Sequence, residues 1–294
     1  MNVLLVSPQT PDTFWSFKHA LKFISRKAAF PPLGLLTIAA LLPKSWNLRL
    51  VDLNVARLDD GALLWADYVM ISGMIVHRAS VDDVVARARR LGRPVIGGGP
   101  LFTTGGDEFG DAVHCVVGEA EELLETLAAD MRAGTLQRRY VAAGWPDVGR
   151  APIPDWDLID LRNYGTMPVQ FSRGCPYDCE FCDVTIMNGR RPRTKSPEQV
   201  LAEIDALVDR GWREQIFLVD DNFIGNKVRV KELLRELIRW GRGRGTRLEF
   251  FTQASLNLAD DPELLDLMVR AGFRRVFLGI ETPHSASLDE CHKV

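Results

Sequence analysis

The sequence predicts an α/β chain with two parallel-sheet regions: a doubly wound sheet over residues 1–134, a connector over 135–167, and a second βα region over 168–294. Three observations predict it. Short β-branched and Leu-rich runs alternate with helical patterns up to about residue 134, which is the order of strands and crossover helices in a parallel sheet. The stretch that follows carries Gly144-Trp145-Pro146, Pro152 and Pro154 with few periodic apolar positions, as a connector does. From Val169 the alternation resumes. A length of 294 residues corresponds to roughly two domains. With 46% hydrophobic and 26% charged residues, the composition excludes wholesale disorder and fibrous structure.

In the first region the predicted strands are residues 2–7, 48–53, 68–72, 94–97 and 112–117. The helices between them are 33–42, behind Pro31-Pro32, a weak stretch at 59–65, and 81–91 behind a candidate cap at Ser80. A last helix over 119–132 is stopped by Gly134. Five strands in this alternation describe a flavodoxin-like sheet, whose ligand sits beyond the carboxyl ends of the strands where strand order reverses. Those ends read Pro8-Gln9-Thr10, Asn54, Gly73-Met74, Gly97-Gly98-Gly99-Pro100 and Gly118-Glu119. Glycine without Cβ lets a ligand approach the backbone, although each of these glycines also reads as a plain turn. Residues 14–30, with Trp15, Phe17, Lys18, His19, Lys22, Phe23, Arg26 and Lys27, read as an amphipathic helix with a solvated cationic face, or as a contact surface for a ligand.

The second region opens at Val169-Gln170-Phe171-Ser172 and gives strands at 216–219, 247–252 and 275–279, with helices at 197–210, 228–240 and 262–271. Ser196-Pro197-Glu198-Gln199 is a capping box with proline at the first helical position. This βα order fits a barrel or a further parallel sheet.

Thirty-six basic against thirty-nine acidic side chains leave a charge of -3, which disfavours nucleic acid as the main partner. The start, Met1-Asn2-Val3-Leu4-Leu5-Val6-Ser7-Pro8, has no basic leader, and the longest mostly apolar run, 31–43, is shorter than the ~20 residues of a spanning helix. The expectation is a cytoplasmic chain without a transmembrane segment. Of five cysteines, Cys175, Cys179 and Cys182 share one eight-residue window, which in a reducing compartment points to metal and not to disulfides. Two metals fit three clustered thiolates. Zinc would need a fourth ligand from Cys291, His284 or His292. A four-iron cluster would keep one iron open for a small molecule.

The run Arg173-Gly174-Cys175-Pro176-Tyr177-Asp178-Cys179-Glu180-Phe181-Cys182 resembles the signature of radical S-adenosylmethionine (SAM) enzymes, including the aromatic residue before the third cysteine. Behind a flavodoxin-like domain it is similar to the subgroup with an amino-terminal cobalamin-binding domain, which includes hopanoid methylases and anaerobic magnesium-protoporphyrin ester cyclases. Pro154-Asp155-Trp156-Asp157 and Arg193-Thr194-Lys195-Ser196-Pro197-Glu198 match that subgroup's habit. The fold this implies is a cobalamin-type flavodoxin-like domain followed by a partial radical-SAM TIM-like (β/α) barrel. The barrel of that family has six βα units and this chain supplies four, so it reads as truncated, split or completed by a partner.

The resemblance implies a 4Fe-4S cluster on Cys175, Cys179 and Cys182, its open iron chelated by SAM, and one-electron cleavage to a 5′-deoxyadenosyl radical. It places SAM against Phe181, Asp220, Gln253, Ser255 and Glu281, although Asp220-Asp221-Asn222 lacks the glycines usual at that strand end. It places cobalamin on Pro8, Gln9, Ser72, Gly73, Gly97, Gly98, Gly99, Gly118 and Glu119, with His77 and Arg78 beside that edge. No Asp-x-His-x-x-Gly string occurs, so the cobalt is expected to lack a histidine ligand from the protein. The activity implied is cobalamin-dependent C-methylation of a small-molecule or lipid-like substrate, fed by an electron donor such as flavodoxin or ferredoxin. Radical cyclisation, and a remnant that binds cluster or corrinoid without turnover, are the alternatives.

Overall fold

The computed structural model describes residues 1–13, 16–245 and 248–293. It divides into two compact units, Met1–Pro146 with Ala151–Gly165, and Asp147–Arg150 with Thr166–Val294.

In chain order the first unit holds β1 (Asn2–Ser7), α1 (Lys18–Phe23), α2 (Leu33–Leu41), β2 (Asn47–Asp52), α3 (Asp60–Trp65), β3 (Tyr68–Ser72), α4 (Arg78–Arg90), β4 (Val95–Gly98), α5 (Pro100–Gly105), β5 (His114–Val117), α6 (Leu124–Ala133) and β6 (Arg139–Val141). The strands form one parallel sheet in the order β2-β1-β3-β4-β5-β6. Successive side chains of a strand point to opposite faces, and β1 uses both. Leu4 and Val6 join a core with Leu63, Val81, Val84 and Phe102 from α3, α4 and α5. Val3 and Leu5 join the opposite core with Leu35, Ala39, Leu127 and Met131 from α2 and α6. That two-sided burial is the doubly wound arrangement.

Several elements differ from the sequence-based expectation. The sheet has a sixth strand, β6, in the segment expected as a connector, where only Tyr140 of three residues is buried. Residues 151–165 pack into the first unit and bury Trp156 and Tyr164. Ser80 does not cap α4: the helix starts two residues earlier, and the Ser80 hydroxyl instead accepts the backbone N–H of Gln9 at 2.8 Å. α5 was unforeseen because Gly97-Gly98-Gly99 reads as loop; Gly99 is its cap, with Pro100 at the first helical position. β5 is shorter at its start because residues Gly106–Ala112 wind into 3₁₀ turns. The cationic stretch yields the six-residue α1; its Phe14 and Trp15 lie outside the described residues.

The second unit holds β7 (Met167–Val169), β8 (Ser172–Arg173), α7 (Val184–Asn188), β9 (Arg193–Thr194), α8 (Pro197–Asp209), β10 (Ile216–Leu218), α9 (Lys227–Arg244), β11 (Phe250–Ala254), α10 (Pro262–Ala271), β12 (Phe273–Leu278) and α11 (Ser285–Glu290). β7, β10, β11 and β12 pair in parallel and in sequence order, the partial (β/α) barrel pattern, while β8 and β9 form a small antiparallel pair. Arg247, placed in the third strand by sequence, lies outside the described residues. The predicted capping box starts α8: Ser196 Oγ accepts from Gln199 N at 3.3 Å and Gln199 Oε1 accepts from Ser196 N at 3.0 Å. Val200, Ile204 and Leu207 of α8, Leu233 and Leu237 of α9, and Leu264 and Leu267 of α10 are buried. Each such side chain contributes about 1.5–3 kcal/mol relative to exposure.

Candidate functional site

The three cysteines lie on one loop between β8 and α7, and two carboxylates from the end of β10 set its geometry. Asp220 is fully buried; its Oδ1 accepts from Phe171 N at 2.8 Å, and its Oδ2 accepts from Ser172 N at 2.9 Å and Ser172 Oγ at 2.6 Å. Asp221 Oδ2 accepts from Gly174 N at 2.8 Å and Asn188 Nδ2 at 2.9 Å. Gly174 itself has φ +96°, and a Cβ there would stand 2.9–3.0 Å from the carbonyl oxygens of Gly189, Arg191 and Asn188. Only glycine satisfies both demands. Beyond it, Cys175 N donates to Gly189 O and Cys182 N donates to Cys179 O, which curls the loop.

All three thiols are half-buried. Burial pushes the Cys175 thiol up, and hydrogen bonds from the Tyr177 backbone and from Asn222 pull it back. Burial and the neighbouring sulfurs, opposed by Lys293, push Cys179 up. A bound metal reverses this by taking the thiolate. Among the described residues no three His, Cys, Asp or Glu side chains meet around one ion position. A four-iron cluster takes one thiolate at each of three separate irons, so such convergence is not required of its ligands. The donor set and the anchored loop fit that group.

The residues expected to meet SAM fall in different places. Asp220 does not reach a ligand: burial and three donors on its two oxygens make it an anchor of the chain entering the loop, a correction to the sequence reading. Ser255 Oγ stands between Asn222 Nδ2 and Asn257 Oδ1, and Asn257 Nδ2 donates to Tyr177 Oη at 2.6 Å, so the end of β11 is tied to the cysteine loop. Gln253 shares the partly exposed face of β11 with Phe251, which stacks on Phe217 at 4.6 Å. Phe181 is more than half exposed, with Lys293 Nζ 5.6 Å from its ring centroid. Glu281, in the left-handed region at φ +60°, accepts from Lys293 at 3.0 Å. The structure also brings Cys291 to the loop, through Glu180 N donating to its carbonyl oxygen at 3.0 Å, while its thiol is directed to Leu288 O. Asn222, next to Cys175, was missed by sequence reasoning; its position at a strand end beside the cysteine loop is the signal that could have found it.

The first unit has a cavity of about 650 Å³ at the carboxyl ends of β1, β2 and β3, where the order 2-1-3 reverses direction. Pro8, Gln9, Ser72 and Gly73 line it, as do Thr10, Asn54 and His77. Gly97, Gly98, Gly99, Gly118 and Glu119 are not on its wall. A Cβ on Gly97 would stand 2.4 Å from the Phe102 ring, and one on Gly99 2.6 Å from Ser72 Oγ, so both glycines let α5 pack on the sheet. Beneath the cavity Asp52 accepts from Asn54 Nδ2 at 2.7 Å and Tyr164 Oη at 3.1 Å, and Asn54 in turn fixes Thr10 N and Pro8 O. Burial pushes Asp52 up and its donors oppose this. His77 Nδ1 accepts from Met74 N at 3.1 Å and Nε2 lies 3.4 Å from Thr10 Oγ1; burial pulls its pKa down. A cavity of this size, walled by amides, hydroxyls and the bare backbone of Gly73, suits part of a corrinoid with its many amide arms.

A flavodoxin-like sheet with a switch-point cavity, followed by parallel βα units that present three cysteines, defines a class of two-domain α/β proteins with a ligand edge in the first domain and a metal-binding loop in the second. Family comparison agrees on both halves. The Radical SAM superfamily model matches residues 169–294 and the B12 binding domain model matches residues 23–128. Residues 169–294 thus form a radical SAM domain, preceded by a B12-binding domain over residues 23–128. The cofactors of those two domains are a 4Fe-4S cluster, SAM and cobalamin. It is 46% identical over 291 residues to an uncharacterized methyltransferase of Synechocystis sp., covering 98% of this chain and 54% of that one. It is 38% identical over 296 residues to the hopanoid C-2 methylase of Rhodopseudomonas palustris, covering 99% and 56%. Its fold is similar to that of OxsB, a cobalamin-dependent SAM radical enzyme solved with aqua-cobalamin and SAM, at a TM-score of 0.77 and 19% identity over 99% of this chain and 45% of OxsB. The chain thus spans about half the length of the curated relatives it matches. Among the described residues no helix is long and apolar enough to cross a membrane.

Proposed function

We propose that this chain is the cobalamin- and SAM-binding part of a radical C-methyltransferase acting on a lipid-like small molecule of the hopanoid kind. The observation that carries it is the glycine-hinged three-cysteine loop, anchored by Asp220 and Asp221, in a chain whose other unit has a switch-point cavity. When bound, the cluster with SAM and the corrinoid supply one-electron cleavage of a sulfonium and a transferable methyl group.

In this reading Cys175, Cys179 and Cys182 hold the cluster, and Asp221 and Gly174 hold the loop in shape. Phe181 covers the adenine, and Gln253, Ser255 and Glu281 offer polar atoms to the ribose and carboxylate of SAM. Pro8, Gln9, Ser72 and Gly73, with Thr10, Asn54 and His77, hold the corrinoid. A small one-electron carrier such as flavodoxin or ferredoxin feeds the cluster. Similarity to methyltransferases over almost the whole chain supports methyl transfer over cyclisation.

The test is to supply the protein made from its whole gene with methyl-labelled SAM, a low-potential reductant and a hopanoid extract. Label in the hopanoid together with 5′-deoxyadenosine is the expected result. Formation of 5′-deoxyadenosine with no methyl transfer would point to radical cyclisation.

A further inference from the structure

Asn222 closes the Asp220-Asp221-Asn222 run at the end of β10 and is 4% exposed. Its Nδ2 lies 3.9 Å from Cys175 Sγ and 3.1 Å from Ser255 Oγ. An amide nitrogen carries two hydrogens, so it serves both partners at once. The hydrogen-bond chain behind it fixes which way the amide points. Asn257 gives an N–H to Tyr177 Oη and so turns its oxygen to Ser255. The single hydroxyl hydrogen of Ser255 is then committed to Asn257 Oδ1, and Ser255 Oγ is left to accept from Asn222. Meanwhile Asn222 Oδ1 is buried with no partner among the described residues. The chain through Ser255 therefore holds the nitrogen of the amide on the side of the sulfur, although its oxygen goes unpaired there.

We infer that Asn222 is a positioning residue of the cluster, whose amide N–H bonds to the Cys175 thiolate and makes the cluster easier to reduce. The inference rests on the assignment of the cluster to Cys175, Cys179 and Cys182. Such a bond withdraws electron density from sulfur and stabilises the reduced, more negative cluster more than the oxidised one. Ser255, Asn257 and Tyr177 hold the donor in place, and Tyr177 belongs to the cysteine loop itself, so the donor is locked to the loop it serves.

The test is a redox titration, followed by electron paramagnetic resonance, of the anaerobically reconstituted chain beside Asn222→Ala and Asn222→Leu. The expected result is unchanged iron content with about a tenfold smaller reduced fraction at a given potential, a shift of about 59 mV to more negative values for a one-electron couple. A loaded variant with the wild-type potential overturns the inference and leaves the cluster assignment standing. A second readout needs no variant: pulsed resonance on wild-type chain labelled with ¹⁵N only in the asparagine side-chain amide should show a weak nitrogen coupling to the reduced cluster. Absence of that coupling overturns the inference even where both variants fail to fold. A wild-type chain that takes up no cluster overturns the inference and the assignment together.

Discussion

The carboxylate of Asp221 accepts the backbone N–H of Gly174 at 2.8 Å, one residue before the first cysteine of the loop. The same oxygen accepts the Asn188 amide from the far side of the loop, so one side chain ties both ends of the segment. Asp221→Ala leaves both donors without this acceptor, and loss of a charged partner costs about 1–3 kcal/mol. Gly174→Ala meets three carbonyl oxygens within 3.0 Å at a positive φ, and the strain costs of order 1–3 kcal/mol. Both variants are expected to hold less than half the iron of the wild type after reconstitution, measured as iron per chain. Full loading in both would show that the loop needs no anchor.

Asp220 makes stability depend on pH. Burial pushes its carboxyl up to about 7, against hydrogen bonds from Ser172 and Phe171. An acid whose folded pKa lies above its ordinary 3.8 stabilises the fold fully below that ordinary value, and the contribution is lost as pH rises towards about 7. The stability advantage of the wild type over Asp220→Asn is therefore expected to shrink between pH 5 and pH 8, by an amount of order 1 kcal/mol or more. Urea unfolding at the two pH values measures it, and an advantage that grows with pH contradicts the assignment.

Asn54 connects the buried Asp52 to the cavity wall, accepting from Thr10 N at 2.8 Å and donating to Pro8 O at 3.2 Å. Removing it with Asn54→Ala frees the loop after β1, and two lost hydrogen bonds correspond to about tenfold weaker binding of hydroxocobalamin. Tyr164→Phe removes a donor from Asp52 and is expected to lower stability by about 1–3 kcal/mol. Spectroscopic titration and thermal unfolding check the two effects. Unchanged affinity in Asn54→Ala would remove the cavity from the corrinoid site.

Gly97 distinguishes packing from ligand contact. Its missing Cβ is filled by the ring of Phe102, which is fully buried, so Gly97→Ala overpacks the sheet–helix junction by about 1–3 kcal/mol. Adding Phe102→Leu is expected to restore part of that stability, read from the urea midpoint. If the second substitution lowers it further, the contact is not the cause.

The strand–helix alternation was legible because strand and helix periods differ over whole elements, as in β1 and α4. β6 was not: three residues with one buried position carry too little pattern, and only tertiary pairing with β5 makes Arg139–Val141 a strand. Three cysteines in eight residues marked that loop in sequence as a candidate metal site, with zinc and a four-iron cluster both open on spacing alone. Asp220, Asp221 and Asn222 could not be told apart in sequence, because a polar residue at a strand end reads as functional whether it faces backbone or ligand. The structure sends the first two to backbone amides and leaves Asn222 beside the sulfur. Gly97 and Gly99 likewise looked like ligand glycines because a helix packed over them, α5, was hidden behind a glycine run.

The central claim is a cluster on Cys175, Cys179 and Cys182 with one iron open to SAM. Electron paramagnetic resonance of the anaerobically reconstituted, dithionite-reduced chain, before and after SAM, tests it most directly. The expected result is a reduced-cluster signal that changes when SAM is added and is absent from Cys179→Ala. A signal indifferent to SAM, or one that survives in Cys179→Ala, would contradict it.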